Sequence, residues 1–373
     1  MNIPVWRKIL YAALVFLLFF GTLELVLRYV VKSPETAQSF VGERQFVNFL
    51  DSLATGERGA QRLYVTDREL LWKLRPSTAF EGYNFHRAVG KAPVPIRVTI
   101  NEYGYRGAPY RPKAAPGALR ILCLGDSNFF GYPLDDREVF PVRLEEELAR
   151  RLPGRDVQVV NGGVPGYSSR QGKLFFQKTF AARDFDLVLI SFLNNDAWPQ
   201  PLSDREVMEK RRSVFYPLTR LLSRLEIYRF VARKLFLATG EEMRPRVPPE
   251  RFVGNYEEMT GFFLKQGTPV IVTDFRAFKG YSRYSDLLRD FAVRHDGVAY
   301  FNVAAGLAED FDAAAKRDRY PDLAARVVAR WGTVALTDRP HLWAYAEFAP
   351  QHLNELGAVW LARRMSDAII GSR

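Results

Sequence analysis

Cysteine occurs once in 373 residues, as Cys123, and histidine four times, as His86, His295, His341 and His352. A single cysteine cannot close a disulfide within the chain, so no disulfide framework shapes the fold. Set in the apolar run Ile121-Leu122-Cys123, it reads as packed core rather than as a reactive thiol. No C-x-x-C, H-E-x-x-H or clustered His/Asp pattern is present, so the sequence points to no metal site and no cofactor. Four histidines leave a short search for a general base. Internal repeats and low-complexity tracts are also missing. The net charge is +11, yet the chain has neither zinc knuckles nor aromatic-interleaved basic runs, and no nucleic-acid partner is expected.

What is present suits a protein with an ample core. Apolar residues make up 47% of the chain and charged residues 25%, proportions that separate it from disordered sequences. The basic excess is uneven. Residues 205–251 carry twelve Lys and Arg against six Glu, more than half of the total surplus. Such a surface suits anionic lipid or acidic glycan. Within it Leu218, Leu221, Leu222, Leu225, Tyr228 and Leu235 recur at helical spacing, which predicts a helical insertion over about 200–250. A solvated face over an apolar stripe is the plainer reading of that segment, and a membrane-surface or ligand role the alternative.

The N-terminal stretch ILYAALVFLLFFGTL, residues 9–23, is uncharged and follows Arg7 and Lys8. A bilayer-spanning helix needs about 20 apolar residues. Ile9 to Val31 is long enough if Glu24 and Arg28, four residues apart, pair on one helix face near an interface. No small-x-small cleavage site follows, so an uncleaved anchor is expected rather than a signal peptide. Arg28, Lys32 and Arg44 nearly balance the earlier basic residues, leaving only a weak preference from the positive-inside rule. The expected arrangement is a single pass through the inner (cytoplasmic) membrane with the body outside the cytoplasm. Residues 1–32 would be the anchor, 33–118 an extension packed on the body, and 119–373 the main domain.

From IRVTI (96–100) onward, strand and helix signals alternate. NEYGYRG (101–107) reads as a turn. RILCLG (120–125), DVQVVNGG (156–163), DLVLISFL (186–193), PVIVTDF (269–275) and VAYFNV (298–303) read as strands. Helices are expected over Val139–Leu152, Ser169–Ala182, Pro248–Lys265, Ser285–Arg294 and Asn354–Ile370. Strands that are apolar throughout and separated by helices imply a parallel sheet covered on both faces, hence the α/β class.

Ligands of such sheets sit beyond the carboxyl ends of the strands. Four polar features fall there: Gly-Asp-Ser after RILCL, Asn-Gly-Gly after VQVV, Asn-Asn-Asp after LISFL, and QHLNELG (351–357), with His352 before the last helix. A serine hydroxyl becomes a competent nucleophile when an imidazole takes its proton. The backbone N–H groups of Ser127 and Gly163 and the Asn195 side-chain amide are the candidate oxyanion donors.

On these blocks the chain resembles the SGNH/GDSL-type hydrolases, whose four motifs carry Ser, Gly, Asn and His in that order. They correspond to Ser127 in GDSN, Gly163 in NGGVPGYSS, Asn195 in LNND and His352 in QHLNELG. The resemblance covers about Arg120 to the C-terminus. It implies a flavodoxin-like three-layer α/β/α sandwich and ester hydrolysis or acyl transfer. The anchored form resembles bacterial members that act near envelope polysaccharide or lipid, so an acylated carbohydrate or lipid is the implied substrate. Two positions depart from the family pattern. Leu193 stands where the third block usually has glycine. Ala349 stands where an Asp normally orients the histidine, leaving Glu347 and Asp338 as candidates for that duty. DRPH (338–341) offers a second Asp-x-x-His at His341, without the helix start that follows His352.

Three functions compete: a serine esterase working through an acyl-enzyme, an O-acyltransferase with a sugar hydroxyl as acceptor, and a catalytically inactive envelope-assembly protein. Other polar residues have structural readings. Asp126 orders the strand end, Asp135 and Asp136 cap the helix at Val139, and Asp196 caps the segment after it. His86 and His295 take no catalytic part. Phe129 and Tyr132 line either a cleft or the core.

Overall fold

The structure, a computed structural model, describes residues 4–30, 60–84, 94–113, 116–222, 225–238, 243–275, 282–311, 320–331, 344–346 and 349–371. By internal contacts the chain divides into two units, Met1–Asp51 with Pro199–Arg244, and Ser52–Trp198 with Pro245–Arg373.

In chain order, helix α1 spans Val5–Tyr29, and the antiparallel pairs β1 (Tyr64–Asp67) with β2 (Leu71–Leu74) and β3 (Thr78–Asn84) with β4 (Val94–Ile100) follow. Then come β5 (Leu119–Gly125), the short α2 (Ser127–Phe130), α3 (Phe140–Arg151), β6 (Val157–Gly163), α4 (Ser169–Thr179), β7 (Leu187–Ser191) and α5 (Asn194–Ala197). The insertion carries α6 (Asp204–Arg212), α7 (Tyr216–Leu222) and α8 (Glu226–Ala238). The chain continues through α9 (Pro249–Leu264), β8 (Val270–Asp274), α10 (Ser282–Arg294), β9 (Val298–Asn302), α11 (Val303–Phe311) and α12 (Pro321–Trp331). The antiparallel pair β10 (Tyr345–Ala346) and β11 (Ala349–Leu353) leads into α13 (Glu355–Gly371).

The five apolar runs expected as strands form one parallel sheet in the order β9-β8-β7-β5-β6. Numbered by position in the sheet-forming series, this is 2-1-3-4-5 read from the β6 edge, the flavodoxin-like doubly wound order. Successive residues of a strand point to opposite faces. Leu119, Ile121 and Cys123 of β5 therefore pack with Phe140, Leu144 and Leu148 of α3 and with Trp360 and Leu361 of α13. The opposite layer is built from aromatic contacts among α4, α9 and α10. Phe176 meets Phe263 with centroids 4.8 Å apart, and Phe252 meets Tyr284 at 5.1 Å. Cys123 is fully buried, as expected of a core residue, and burial pushes its thiol pKa up. Helix α4 ends earlier than the periodicity suggests, because Phe180 turns inward and packs edge-on against Phe175 at 5.4 Å.

In the unit holding α1, the carboxylate of Glu24 accepts from the N–H groups of Glu226 (2.9 Å) and Ile227 (3.1 Å), the first residues of α8. A helix N-terminus has free N–H groups and a partial positive charge, so an anion is favoured there. The expected Glu24–Arg28 pair forms at 2.9 Å. Helix α6 opens with a reciprocal cap between Ser203 and Glu206.

Candidate active site

In a 2-1-3-4-5 sheet the direction of winding reverses between the first and third strands, and the crevice opens at their carboxyl ends. Here those strands are β5 and β7. Beyond β5, Asp126 caps α2, its Oδ1 accepting from the Asn128 N–H at 2.9 Å and the Asn128 side-chain amide at 3.1 Å. Ser127 is thus the first residue of a helix, where backbone N–H groups have no intrahelical partner. Among the described residues nothing accepts from the Ser127 N–H, and the side chain is half-buried.

His352 arrives from the other end of the chain. It lies on β11, and Asn354 fixes the corner into α13 by accepting from the N–H groups of Leu356 (2.9 Å) and Gly357 (3.0 Å). Its Nε2 lies 2.8 Å from Ser127 Oγ across 225 positions of sequence. Tyr132 meets the imidazole edge-on, with centroids 5.2 Å apart and planes inclined at 68°. His86, His341, Asp338 and Glu347 lie outside the described residues, as does the side chain of Ala349.

Asn195 sits in the first turn of α5, just past β7. Its Nδ2 lies 3.2 Å from Asp126 Oδ2 and 3.1 Å from the Tyr167 carbonyl oxygen. Asp126 is only 2% exposed. Burial pushes its carboxyl up to about 6, against the lowering effect of the hydrogen bonds from Asn128 and Asn195. Leu193, in the family's glycine position, is buried.

Gly163 does not offer a free donor: its N–H donates to Asn161 Oδ1 at 3.0 Å. The reason for glycine here is the missing side chain. A Cβ would stand 2.1 Å from the Phe130 nitrogen, so only glycine lets α2, with Ser127, settle on β6. Three residues on, Gly166 has a φ of +77° and adjoins Tyr167, whose carbonyl holds Asn195. Among the described residues nothing accepts from its N–H.

Several structural expectations need correcting. Asp135 and Asp136 do not cap the following helix, whose N-cap is Val139 with no side-chain bond. Asp135 instead accepts from the Arg97 N–H at 2.7 Å, and Asp136 from the Thr99 N–H at 3.2 Å, fastening β4. Asp196 caps backward, accepting from the N–H of Ser169 at 3.0 Å and from its hydroxyl at 2.5 Å. Phe129 is core, stacked on Phe140 at 5.6 Å. As expected of a residue outside the site, His295 is engaged locally, its Nδ1 donating to the Phe291 carbonyl oxygen at 2.7 Å.

One residue of the NEYGYRG turn does more than turn the chain. The buried guanidinium of Arg106 donates to the carbonyls of Phe130 (2.9 Å) and Leu134 (2.7 Å) and to Asp136 (2.9 Å). It therefore braces the segment that follows Ser127. A basic residue after Gly-Tyr was the available signal, but nothing local tells where its fork would land.

No family model matches the chain, and no curated protein does. Among solved structures, AlinE4, described as an SGNH-hydrolase family esterase, is 17% identical over 58% of this chain and 98% of its own, with a TM-score of 0.34. A lipase/acylhydrolase from Enterococcus faecalis is 18% identical over 68% and 96%, with a TM-score of 0.38. The acetyl xylan esterase AlAXEase is 13% identical over 67% and 100%, with a TM-score of 0.37.

Proposed function

We infer that the protein is a serine esterase that cleaves O-acyl groups through an acyl-enzyme on Ser127. The observation that carries this reading is the 2.8 Å contact between Ser127 Oγ and His352 Nε2 at the switch point of the sheet. His352 takes the hydroxyl proton as Ser127 attacks the ester carbonyl. It then returns that proton to the leaving alkoxide, and water repeats the sequence on the acyl-enzyme. The Ser127 N–H is open to the developing oxyanion, and the Asn195 amide, whose two hydrogens go to Asp126 Oδ2 and the Tyr167 carbonyl, serves it by releasing one of them. Gly163 is the third donor of this reading, and its N–H reaches the oxyanion by leaving Asn161 Oδ1. Transfer to a sugar hydroxyl uses the same groups with a different acceptor. A fluorophosphonate probe tests the nucleophile: the wild type is labelled, and Ser127→Ala is not. Labelling that survives the substitution, or never appears, refutes the reading.

For the oxyanion site, Asn195→Ala is expected to lower kcat by about 10²-fold with little change in KM. Steady-state kinetics on a p-nitrophenyl ester checks this, and an unchanged kcat would leave Asn195 as a structural residue only.

The same reading includes a membrane anchor. Among the described residues α1 is the one helix long and apolar enough to cross a bilayer, with 25 residues, a mean hydropathy of 2.3 in its most apolar window and none of that window buried. The body is placed outside the cytoplasm. A C-terminal alkaline-phosphatase fusion is expected to be active in intact cells, and an inactive fusion with an active cytoplasmic reporter at the same site would reverse the orientation.

A further inference from the structure

The insertion carries apolar residues that nothing described in its unit covers. Phe215, Leu218 and Leu221 around α7 are 67%, 54% and 59% exposed, and Leu225 follows at 43%. Leu218 and Leu221, three residues apart, share one side of α7. On α8, Val231 and Leu235, four residues apart, are 48% and 63% exposed. Large apolar residues left exposed on both helices suit a binding face.

Two further observations say what binds there. The first is continuity with α1. Glu24, in the last two turns of that helix, holds the N-terminus of α8 through the Glu226 and Ile227 N–H groups. The start of α8 therefore sits against the C-terminal part of α1. The second is charge. Residues 210–234 contain eight Lys and Arg and one acidic residue, Glu226; of the eight, Arg211 and Arg229 are buried, Arg229 paired with Glu226, while Lys210, Arg212 and Lys234 are exposed. On α8 the Lys234 ammonium lies over the Phe230 ring, 5.6 Å from its centroid. Leucine and aromatic side chains beside exposed basic residues are what an interfacial helix presents to anionic lipid.

We propose that α7 and α8 lie in the headgroup region of the membrane that α1 crosses, with their leucines in the acyl boundary and their basic residues on anionic phospholipid. The proposal rests on α1 as a membrane span and is independent of the chemistry at Ser127. Its consequence is a protein held at the membrane by two elements, a spanning helix and a surface helix pair.

The test uses the full-length chain in vesicles of phosphatidylcholine and phosphatidylglycerol. Single cysteines at Phe16, Leu218, Leu221 and Leu235 (Phe16→Cys, Leu218→Cys, Leu221→Cys, Leu235→Cys) carry an environment-sensitive fluorophore, while the native Cys123 is fully buried. Lipids bearing a shallow nitroxide are expected to lower emission about twofold or more at Leu218, Leu221 and Leu235, whereas aqueous iodide has little effect. Leaving out phosphatidylglycerol weakens that quenching, and equal quenching in both lipids would overturn the anionic part. Quenching at Phe16 by lipids bearing a nitroxide deep in the acyl chain, with none at Leu218, Leu221 and Leu235 by the shallow one, would overturn the proposal and leave the span standing. Absence of quenching at Phe16 by the deep nitroxide removes the span and the proposal together. Labels shielded from both quenchers would show a protein covering, either another segment of this chain or a second copy, and would also overturn it.

Discussion

Replacing Ser127 by alanine is expected to lower kcat/KM for a p-nitrophenyl ester by about 10⁴-fold, equivalent to about 5 kcal/mol of transition-state stabilisation. The size follows from what disappears. Without Oγ there is no covalent route, and the remaining donors can only polarise the ester for attack by water. His352→Ala should fall to a similar floor, because an unassisted hydroxyl beside an empty space is a poor nucleophile at neutral pH. The more searching result is the double variant. Groups that act as one unit lose their contribution once, so Ser127→Ala/His352→Ala should be no slower than either single change. Losses that multiplied would mean that the 2.8 Å contact joins two residues with separate tasks. Retained activity in Ser127→Ala would place the chemistry elsewhere.

The parallel sheet was legible because strands buried on both faces are written in apolar residues throughout, as Leu119–Gly125 is, and the intervening helices keep their own period. Ser127, Asn195 and His352 could be picked out because each follows or precedes an element whose end is itself readable. What stayed hidden depends on which loops meet. Nothing in the sequence near Arg106 says that its guanidinium will hold the Phe130 and Leu134 carbonyls. Asp135 and Asp136 stand just before a helix and look like caps, yet the β4 backbone and Arg106 reach them first. Gly163 shows a further limit. A glycine beside the Ser127 turn announces close approach, but only the geometry tells whether the amide or the absent Cβ is the reason. Here the Cβ decides, at 2.1 Å from the Phe130 nitrogen.

The pairing of Asp126 with Asn195 leads to a prediction in which stability and activity move in opposite directions. Burial raises the Asp126 carboxyl from its usual 3.8 to about 6. The folded protein therefore holds this proton more tightly than the unfolded chain does. The stability this contributes is complete below about pH 4 and is lost as pH rises through about 6. The interval corresponds to about 3 kcal/mol. Asp126→Asn, which cannot ionise, escapes that loss. Its stability relative to wild type should improve by up to about 3 kcal/mol between pH 4 and pH 8, as read by denaturant unfolding of the two full-length proteins. Its activity should fall, because an amide nitrogen in place of Oδ2 repels the Asn195 amide instead of accepting from it. The oxyanion donor then loses one of its two anchors, which predicts a drop in kcat with KM nearly unchanged. A carboxylate kept ionised in the interior at a cost to stability, and used to aim a donor, is the trade expected of a catalytic site. If the relative stability of the variant does not change with pH, the carboxyl is not strained by burial. If kcat also stays at the wild-type value, Asp126 only caps α2 and Asn195 is held by the Tyr167 carbonyl alone.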